Sequence, residues 1–362
     1  MSCSIVGPAF PTRWLGGWIC LVTLWNFSAG SCPGQQFQTD QVDMAIQRGI
    51  DYLVAEQLDG GSMAGAIVEG QDRKNAVAMT SLSIMAMAAV GHQPSDPTPE
   101  GKAMRRALEF VLEPKNQLHE HYYGADGSRM YGHGITTLML AEMLGMGVDD
   151  AQDQKIRARL QNAVNLILAA QQLNKRSRSQ GGWRYTPQSN DSDLSVSVWQ
   201  VMALRSAKNA GLPVPKSAID SAVEYIRSCY HPSQGGFGYQ PGRHPDYAMV
   251  AAGLLSMQVC GQYDADEVKG AAEWLSRRGL NFRHHWFFYG TYYYAQGMYQ
   301  RGGRYAEQAR TEVEDVLLRN QAEGGYWSAS SGQERGAGRI YSTTMAILSL
   351  SVKYHYLPIY QR

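Results

Sequence analysis

The turns Gln180-Gly181-Gly182-Trp183, Gln234-Gly235-Gly236-Phe237 and Glu323-Gly324-Gly325-Tyr326 recur along this chain, with weaker copies at Asp59-Gly60-Gly61-Ser62 and Asp126-Gly127-Ser128. Each turn follows a segment with an amphipathic helical pattern and precedes a segment that is apolar or small almost all round. Glycine can end the first helix of each pair because it adopts the left-handed conformation without steric cost. A unit repeated six times predicts a repeat architecture before any catalytic residue is considered.

The repeat divides the chain into six predicted helical hairpins. First members keep one polar face, whereas second members such as residues 77–90 carry almost no charge, which is typical of a helix covered on all sides. A ring of six inner helices inside six outer helices is the simplest closed arrangement, so we predict an all-α fold, an (α/α)6 toroid. The predicted pairs are residues 42–57 with 75–90, 102–113 with 133–146, 151–172 with 193–209, 216–229 with 246–260, 265–278 with 285–299, and 305–320 with 341–354.

The repeat runs to about residue 356 without the composition shift of a linker, so residues 32–362 are predicted to form a single domain. The chain has 33 Lys+Arg against 32 Asp+Glu. This balance leaves no basic footprint for nucleic acid or for an anionic membrane surface. We therefore expect no nucleic-acid partner.

Residues 1–31 have the pattern of a secretory signal peptide. Arg13 precedes an apolar run at residues 14–27, and Ala29-Gly30-Ser31 supplies small residues before a cleavage point. The run falls short of the ~20 apolar residues that a membrane-spanning helix needs. We expect no transmembrane span and an exported protein, in the periplasm or cell envelope or outside the cell. Cys32 leaves a lipid anchor open as an alternative.

Three cysteines, Cys32, Cys229 and Cys260, would remain in the mature chain. Cys229 and Cys260 end two consecutive antiparallel helices, so their sulfurs are expected at opposite ends of a hairpin. A helix of ~14 residues is ~20 Å long, which exceeds the ~7 Å Cα limit for a disulfide. We predict no bridge between these two cysteines.

Glutamines close before two of the Gly-Gly turns carry a further signal. Gln172 precedes the turn that ends in Trp183, and Gln321 precedes the turn that ends in Tyr326. This pattern resembles the tryptophan-and-glutamine repeat of the squalene and hopene cyclases, whose α/α toroid is shared by protein prenyltransferase β subunits. Residues 341–358 resemble a cyclase's last inner helix and the tail that follows it. The resemblance covers about 320 residues and implies the fold more strongly than the function, because this fold hosts several chemistries.

The acid motif of the class II cyclases is altered in this chain. Those enzymes protonate an alkene with an Asp-x-Asp-Asp motif at the start of an inner helix, and the resemblance places Asn190-Asp191-Ser192-Asp193 there. Ser192 stands where the proton donor is expected, and a hydroxyl cannot protonate an alkene. A register slipped by one residue would recover Asp191 and Asp193. The sequence therefore disfavours squalene-type cyclisation.

The zinc set of the protein prenyltransferases is altered as well. Those enzymes bind Zn²⁺ through Asp, Cys and His so that the metal presents a thiolate. The resemblance places Asp193, Ser195 and Asp246 at the three positions. These hard oxygen ligands favour Mg²⁺ over zinc, or leave the site without a metal. We expect neither a zinc site nor a cofactor.

The starts of the inner helices, which converge on one mouth of a toroid, supply the candidate site. Six helix N-termini favour a phosphate, diphosphate or carboxylate, and an aromatic lining below them suits an amphiphile. The acid-base candidates are Asp193, Asp246 and His133, and the ligand-binding candidates are Tyr131, Trp199, Tyr247, His285, Trp286, Tyr289, Tyr293, Arg339 and Tyr341.

Plain structural roles compete with each of these assignments. Asp193 and Asp246 are good N-cap residues, and His133 lies between two glycines where a hydrogen-bonded turn would also explain it. The aromatic run from residue 286 to residue 294 can pack a core as well as line a cavity. Helix capping and core packing therefore remain open beside ligand binding.

Three functional hypotheses remain. The first is an exported toroid that binds, and in one version transforms, an isoprenoid or similar amphiphile in its central cavity. The second is a non-catalytic scaffold that docks another exported protein or an envelope component, and it predicts no sizeable central pocket. The third and weakest is a carbohydrate-active enzyme, which needs two carboxylates ~5 to 9.5 Å apart; Asp193 and Asp246 are the candidate pair.

Overall fold

The computed structural model describes residues 40–63, 75–117, 121–330 and 332–360. The predicted signal peptide at residues 1–31 and the predicted lipid anchor at Cys32 lie outside these residues.

Twelve α-helices alternate between an outer and an inner position in the described part of the chain. They are α1 (Gln41–Ala55), α2 (Ala76–Ala88), α3 (Pro99–Leu112), α4 (Arg129–Met143), α5 (Asp150–Gln172), α6 (Leu194–Asn209), α7 (Lys216–Ser228), α8 (Tyr247–Val259), α9 (Asp266–Arg278), α10 (Phe287–Arg301), α11 (Gly303–Arg319) and α12 (Gly338–Leu350). Short 3-10 turns occupy Pro114–Asn116, Gly124–Asp126, Gln333–Ala337, Ser351–Tyr354 and Pro358–Tyr360. One small antiparallel hairpin pairs β1 (Tyr230–His231) with β2 (Gly236–Phe237).

The even-numbered helices form a closed inner ring. Each packs against the next, from α2 through α4, α6, α8 and α10 to α12, and α12 packs against α2. Every residue of α2 and of α8 is buried, which explains why these helices carry no charged side chain. The predicted all-α (α/α)6 toroid is confirmed.

The pairs of outer and inner helices differ from the predicted hairpins. Helices α2, α4, α8 and α10 each pack more extensively on the outer helix that follows than on the one before. The connection from α10 to α11 is the single residue Gly302, whereas the connections from outer to inner helices carry the long Gly-Gly turns. The short connections therefore set the closest pairs.

A glutamine links each of three turns to the next outer helix. The side-chain amide of Gln171 donates to the carbonyls of Gly181 and Ala218 at 2.8 and 2.9 Å. Gln57 and Gln321 donate in the same way to the carbonyl of their own turn and to the next outer helix. The helix-ending glutamine that the sequence analysis placed at position 172 is Gln171, because Gln172 is exposed.

One glycine in each of these turns lies against the next outer helix. Gly181 and Gly325 have φ of 90° and 84°, and a Cβ on either would lie 2.2 Å from the carbonyl oxygen of Ser221 or 2.4 Å from that of Arg48. Glycine is therefore required both by the backbone conformation and by the close approach. The contact at Arg48 joins the sixth unit to the first.

The buried aromatic of the sixth turn is shifted by one position from the expected Tyr326. Trp183 and Trp327 each donate their indole NH to a carbonyl of the preceding outer helix, at Ile167 and Leu317, both at 2.8 Å. Each lies two residues after the glycine with positive φ. Trp327 is thus the structural counterpart of Trp183.

Candidate binding site at the inner-helix mouth

The inner helices α6 and α8 begin with capping aspartates. Asp193 and Asp246 accept hydrogen bonds from the backbone NH groups of Val196 and Met249, at 2.9 and 3.0 Å. Each carboxylate satisfies an NH group that has no partner within the helix. Asp193 is fully buried and Asp246 is exposed, so the two carboxylates occupy different environments at this mouth.

Three other inner helices begin with a non-glycine residue in the left-handed region. Asn75 before α2, Arg129 in α4 and Trp286 before α10 have φ of 64°, 57° and 58°. Such residues cost ~1–2 kcal/mol each and persist only where the surrounding structure fixes them, often at binding sites. Their placement at the same end of three helices points to the mouth as the functional end of the toroid.

The carboxylate of Asp193 has one satisfied and one unsatisfied oxygen. Oδ1 accepts from Val196 NH and from the hydroxyl of Ser195 at 2.6 Å. Oδ2 is buried and lies 3.5 Å from Nε of Arg184, and neither Arg184 nor the Tyr239 hydroxyl, which also acts on this carboxyl, meets hydrogen-bond geometry with it. Buried polar atoms without a partner are uncommon in folded proteins, so Oδ2 is a natural point of attachment.

Arg184 holds a second carboxylate and lies among aromatic faces. Its Nη1 lies 3.3 Å from Oδ2 of Asp191. Its guanidinium lies 4.8 Å from the ring centroid of Tyr185 and 5.6 Å from that of Tyr239, and the two tyrosine hydroxyls are hydrogen-bonded to each other. Arg184 therefore balances two carboxylates at once.

Tyr131 of α4 completes this group from the other side. Its hydroxyl shares a hydrogen bond with the hydroxyl of Ser195, and its ring lies 6.1 Å from that of Tyr185. We call the group the mouth cluster; it consists of Tyr131, Arg184, Tyr185, Asp193, Ser195 and Tyr239. Asp193 and Ser195 are buried and the other four are half-buried, so the cluster has a closed floor and an accessible side.

The mouth cluster shifts the acidity of Asp193. Burial is the largest influence and raises the pKa of this carboxyl, because the charged form loses its hydration. Hydrogen bonds from Ser195 and Val196 and the charge of Arg184 lower it, and the net direction is upward. Asp193 therefore takes up a proton more readily than an exposed aspartate.

The centre of the toroid below the mouth is filled by aromatic side chains. Trp199 of α6 stacks on Tyr292 of α10 with ring centroids 5.7 Å apart and meets the edge of Tyr293 at the same distance. Tyr289 donates its hydroxyl to the carbonyl of Ser195 at 2.8 Å. Trp199 is 1% exposed, and Tyr292 and Tyr293 are 0% exposed, so other atoms enclose these rings almost completely. Trp199 and Tyr293, expected to line a cavity, instead pack the core at this level.

A buried acid that the sequence analysis missed holds the start of α10. Glu334 accepts hydrogen bonds from the NH groups of Phe288 and Tyr289 at 3.0 and 2.9 Å, and the hydroxyl of Tyr341 in α12 interacts with it. Burial raises the pKa of Glu334, and these hydrogen bonds oppose the rise. Glu334 fixes Tyr289 and Tyr341 side by side at the mouth.

Four of the predicted site residues are exposed at the starts of their helices: Asp246, His285, Trp286 and Arg339. The guanidinium of Arg339 lies 4.2 Å from the ring centroid of Tyr326. The ring of His285 meets the Trp286 ring edge-on at 5.5 Å. We place these four side chains at the rim, outside the mouth cluster.

Two further candidates, His133 and Tyr247, face away from the mouth cluster. His133 lies one turn inside α4, because that helix begins four residues earlier than predicted, at Arg129. Its Nδ1 accepts from Tyr123 NH at 3.2 Å and its Nε2 bonds to the carbonyl of Ala163 in α5 at 3.1 Å. Burial lowers the pKa of His133 to about 4, so the ring is neutral near pH 7. Tyr247 stacks on His284 with centroids 4.3 Å apart.

The described residues show neither a metal-binding cluster nor a membrane-spanning helix. Within residues 40–63, 75–117, 121–330 and 332–360, no group of three or more His, Cys, Asp or Glu side chains is arranged to hold a metal ion. Cys229 and Cys260 are free thiols. Of the helices described, none combines the length and the apolar character needed to cross a bilayer.

The sequence carries a signal for part of the mouth cluster. Trp183-Arg184-Tyr185 and Phe237-Gly238-Tyr239 each place a tyrosine two residues after the buried aromatic of a Gly-Gly turn. Consecutive turns lie side by side, so this spacing brings the two hydroxyls together. Glu334 has no such signal, because it lies 46 residues from the helix start that it caps.

Comparisons with known proteins support the architecture. Residues 126–287 match the family model of the prenyltransferase alpha-alpha toroid domain. No curated protein matches the sequence. Among solved structures, the type II terpene cyclase MstE from Scytonema is similar with a TM-score of 0.58 at 15% identity, over 88% of this chain and all of that chain.

Glycosidases share the same fold. A glycosidase variant in complex with glucose is similar with a TM-score of 0.56 at 12% identity, over 88% of this chain and 98% of that one. A family 76 glycoside hydrolase from a bovine Bacteroides thetaiotaomicron strain is similar with a TM-score of 0.60 at 9% identity, over 87% of this chain and 78% of that one. At these identities the likeness concerns the fold alone. The matched domain at residues 126–287 and the closed double ring show that this chain has the α/α-toroid fold.

Proposed function

We propose that this protein is an exported toroid that binds a hydroxyl-bearing ligand at the inner-helix mouth, with Asp193 as the anchoring group. The observation that carries the proposal is the buried Oδ2 of Asp193, which has no neighbour in hydrogen-bond geometry among the described residues and lies 3.5 Å from Arg184. A ligand hydroxyl that donates to Oδ2 would satisfy this atom. An ionised acceptor strengthens such a bond.

The filled centre narrows the first hypothesis from the sequence. A long isoprenoid chain needs an apolar cavity, and the enclosed rings of Trp199, Tyr292 and Tyr293 occupy the space between α6 and α10. The half-buried tyrosines of the mouth cluster, Tyr131, Tyr185 and Tyr239, offer aromatic faces and hydroxyls in a shallow site. This geometry suits a hydroxyl group carried either by a sugar or by the polar end of an isoprenoid alcohol.

Binding is supported better than catalysis. Asp191 and Asp193 both pair with Arg184, and Ser192 stands where the resemblance to the cyclases expects the proton donor. An anionic ligand would also compete with these two carboxylates for one guanidinium. A neutral hydroxyl meets no such competition.

The proposal is tested by calorimetric titration of the wild-type protein with two probes, farnesol in detergent and a glucose oligosaccharide. We expect one of them to bind and Asp193→Asn to weaken its affinity at least tenfold, because the amide that replaces Oδ2 no longer accepts a hydrogen bond. Asn keeps the capping oxygen. Asp246→Asn is the matched control, since Asp246 is an exposed N-cap. The affinity of this variant for the same probe should stay within twofold of that of the wild type.

Two results would contradict the proposal: neither probe binds, or the two variants lose affinity equally. The scaffold hypothesis would be favoured by two results together: the wild-type protein binds neither probe, and an exported partner protein stays bound to it through purification.

Export has its own test. The sequence pattern supports cleavage after Ser31, because Arg13 precedes the apolar run at residues 14–27. The intact mass of the protein from its native cells should match residues 32–362, with an added lipid mass if Cys32 is acylated. A cytoplasmic protein that keeps residues 1–31 would contradict export and leave the binding proposal unaffected.

A further inference from the structure

The C-terminal segment crosses the end of the toroid opposite the mouth. His355 packs against Tyr299 near the end of α10 with ring centroids 4.3 Å apart. The ring of Tyr356 lies over Gly91, just beyond α2, where an added Cβ would be 3.3 Å away. Leu357 and Ile359 are 4% exposed, and Pro358–Tyr360 packs on α6. The segment 355–360, which we call the tail, therefore spans the inner ring from α10 past α2 to α6.

The far end of the tail is held by one buried carboxylate. Glu142, in the last turn of α4, is 3% exposed. Its Oε2 accepts from the NH of Ile359 at 3.1 Å, and its Oε1 accepts from the hydroxyl of Ser206 in the last turn of α6. These bonds join two inner helices and the tail at a single side chain. Within the described ranges, no cation acts on this carboxylate.

We propose that Glu142 is a proton-operated latch for the tail: the neutral side chain keeps the tail closed over this end of the toroid, and ionisation favours its release. The inference is independent of the function proposed for the mouth. It rests on the contacts of Glu142, on its burial and on its position at two helix ends.

The surroundings of Glu142 favour the neutral form. Burial is the main influence and raises the pKa of Glu142 to about 7, while Ser206 and the Ile359 NH oppose the rise. Negative charge is also disfavoured at helix C-termini, and Glu142 and Ser206 both lie in such turns. Release of the tail would admit water and return the pKa towards its ordinary value of 4.5.

The charged groups that the structure describes on neighbouring elements do not pair with Glu142. Burial raises the pKa of Cys260, and the charge of Arg205 on α6 opposes this rise. On the C-terminal segment, Lys353 pairs with Asp40 and Asp43 at 2.9 and 2.6 Å. Helix α2 has no charged side chain. Among the described residues, no charged group contributes to the shift at Glu142.

The sign of the effect follows from proton linkage. Because the closed state has the higher pKa, closing takes up a proton between about pH 4.5 and 7. The closed tail therefore loses stability as pH rises through this window, by up to about tenfold per pH unit, and the loss levels off above pH 7. His355, on the tail itself, has the opposite effect, since burial lowers its pKa from 6.5. His133 acts in the same direction on the whole fold, since its folded pKa is lowered to about 4.

The test is hydrogen exchange, followed by mass spectrometry on the full chain, at several pH values from 5 to 8. The measured quantity is the protection factor of a C-terminal peptide over residues 355–362, corrected for the intrinsic rate, and a peptide from α8 reports global opening. We expect wild-type tail protection to fall from pH 5 to 7 and then to level off. Glu142→Gln should lose this fall, because an amide imitates the neutral acid, and should keep only the rise with pH that His355 contributes.

Two further variants keep the test decisive. Ile359→Pro removes the NH that Glu142 accepts, and should leave the tail unprotected at every pH while α8 stays protected. Ser206→Ala removes the other donor, which should raise the pKa of Glu142 and move the transition to higher pH. Constant wild-type tail protection, or a parallel fall in wild type and Glu142→Gln, would overturn the latch.

Discussion

Backbone strain at single residues marks the mouth. Arg129 is exposed and has φ of 57° at the first position of α4, a conformation that costs ~1–2 kcal/mol for residues other than glycine. No pattern in the sequence reports this strain, because it is imposed by the turn before the helix. Replacing Arg129 with glycine should remove this strain, and the gain should offset the usual loss of helix stability that glycine causes.

We expect Arg129→Gly to leave the free energy of unfolding unchanged or to raise it by up to ~1 kcal/mol. Arg157→Gly is the matched control, since Arg157 is exposed in the middle of α5, and it should lower the free energy by ~1 kcal/mol. Urea denaturation measures both. Equal losses in the two variants would show that Arg129 is unstrained.

The predicted site residues divide according to how local their signals were. Asp193 was found because N-caps and inner-helix starts are visible in the sequence. His133 was misplaced because the start of α4 was set four residues too late, and this error turned a residue facing α5 into a mouth residue. Glu334 could not be found, because its role depends on a contact between distant segments.

At the scale of the elements, the turn glutamines hold the outer helices together. Gln171 satisfies two buried carbonyls, at Gly181 and Ala218. Each lost bond leaves a buried polar group without its partner, at a cost of ~1–3 kcal/mol. The glutamine repeat was visible in the sequence, but the choice between adjacent glutamines needed the three-dimensional contacts.

We expect Gln171→Ala to lower the free energy of unfolding by ~2–4 kcal/mol. Gln172→Ala is the control, since Gln172 is exposed at the next position, and should change it by less than ~0.5 kcal/mol. Thermal and urea unfolding of the two variants, side by side, measure the difference. A larger loss in Gln172→Ala would restore the assignment first made from the sequence.

At the scale of the whole molecule, ring closure depends on contacts between the two ends of the repeat. Helix α12 packs on α2 and on α1, Gly325 meets Arg48, and Lys353 pairs with Asp40 and Asp43. The periodicity of the sequence was enough to predict the closed ring. The filled centre was not predictable, because Trp199 and Tyr292 meet across two helices that are not neighbours in the ring.

The proposed function depends on ligand binding at the mouth, above a filled aromatic centre. It is tested most directly by a crystal structure of the wild-type protein grown with whichever titration probe binds. We predict ligand density whose hydroxyl lies within hydrogen-bond distance of Asp193 Oδ2, with Trp199 still stacked on Tyr292. A ligand inserted between Trp199 and Tyr292, or one that leaves Asp193 Oδ2 without a partner, would contradict the account.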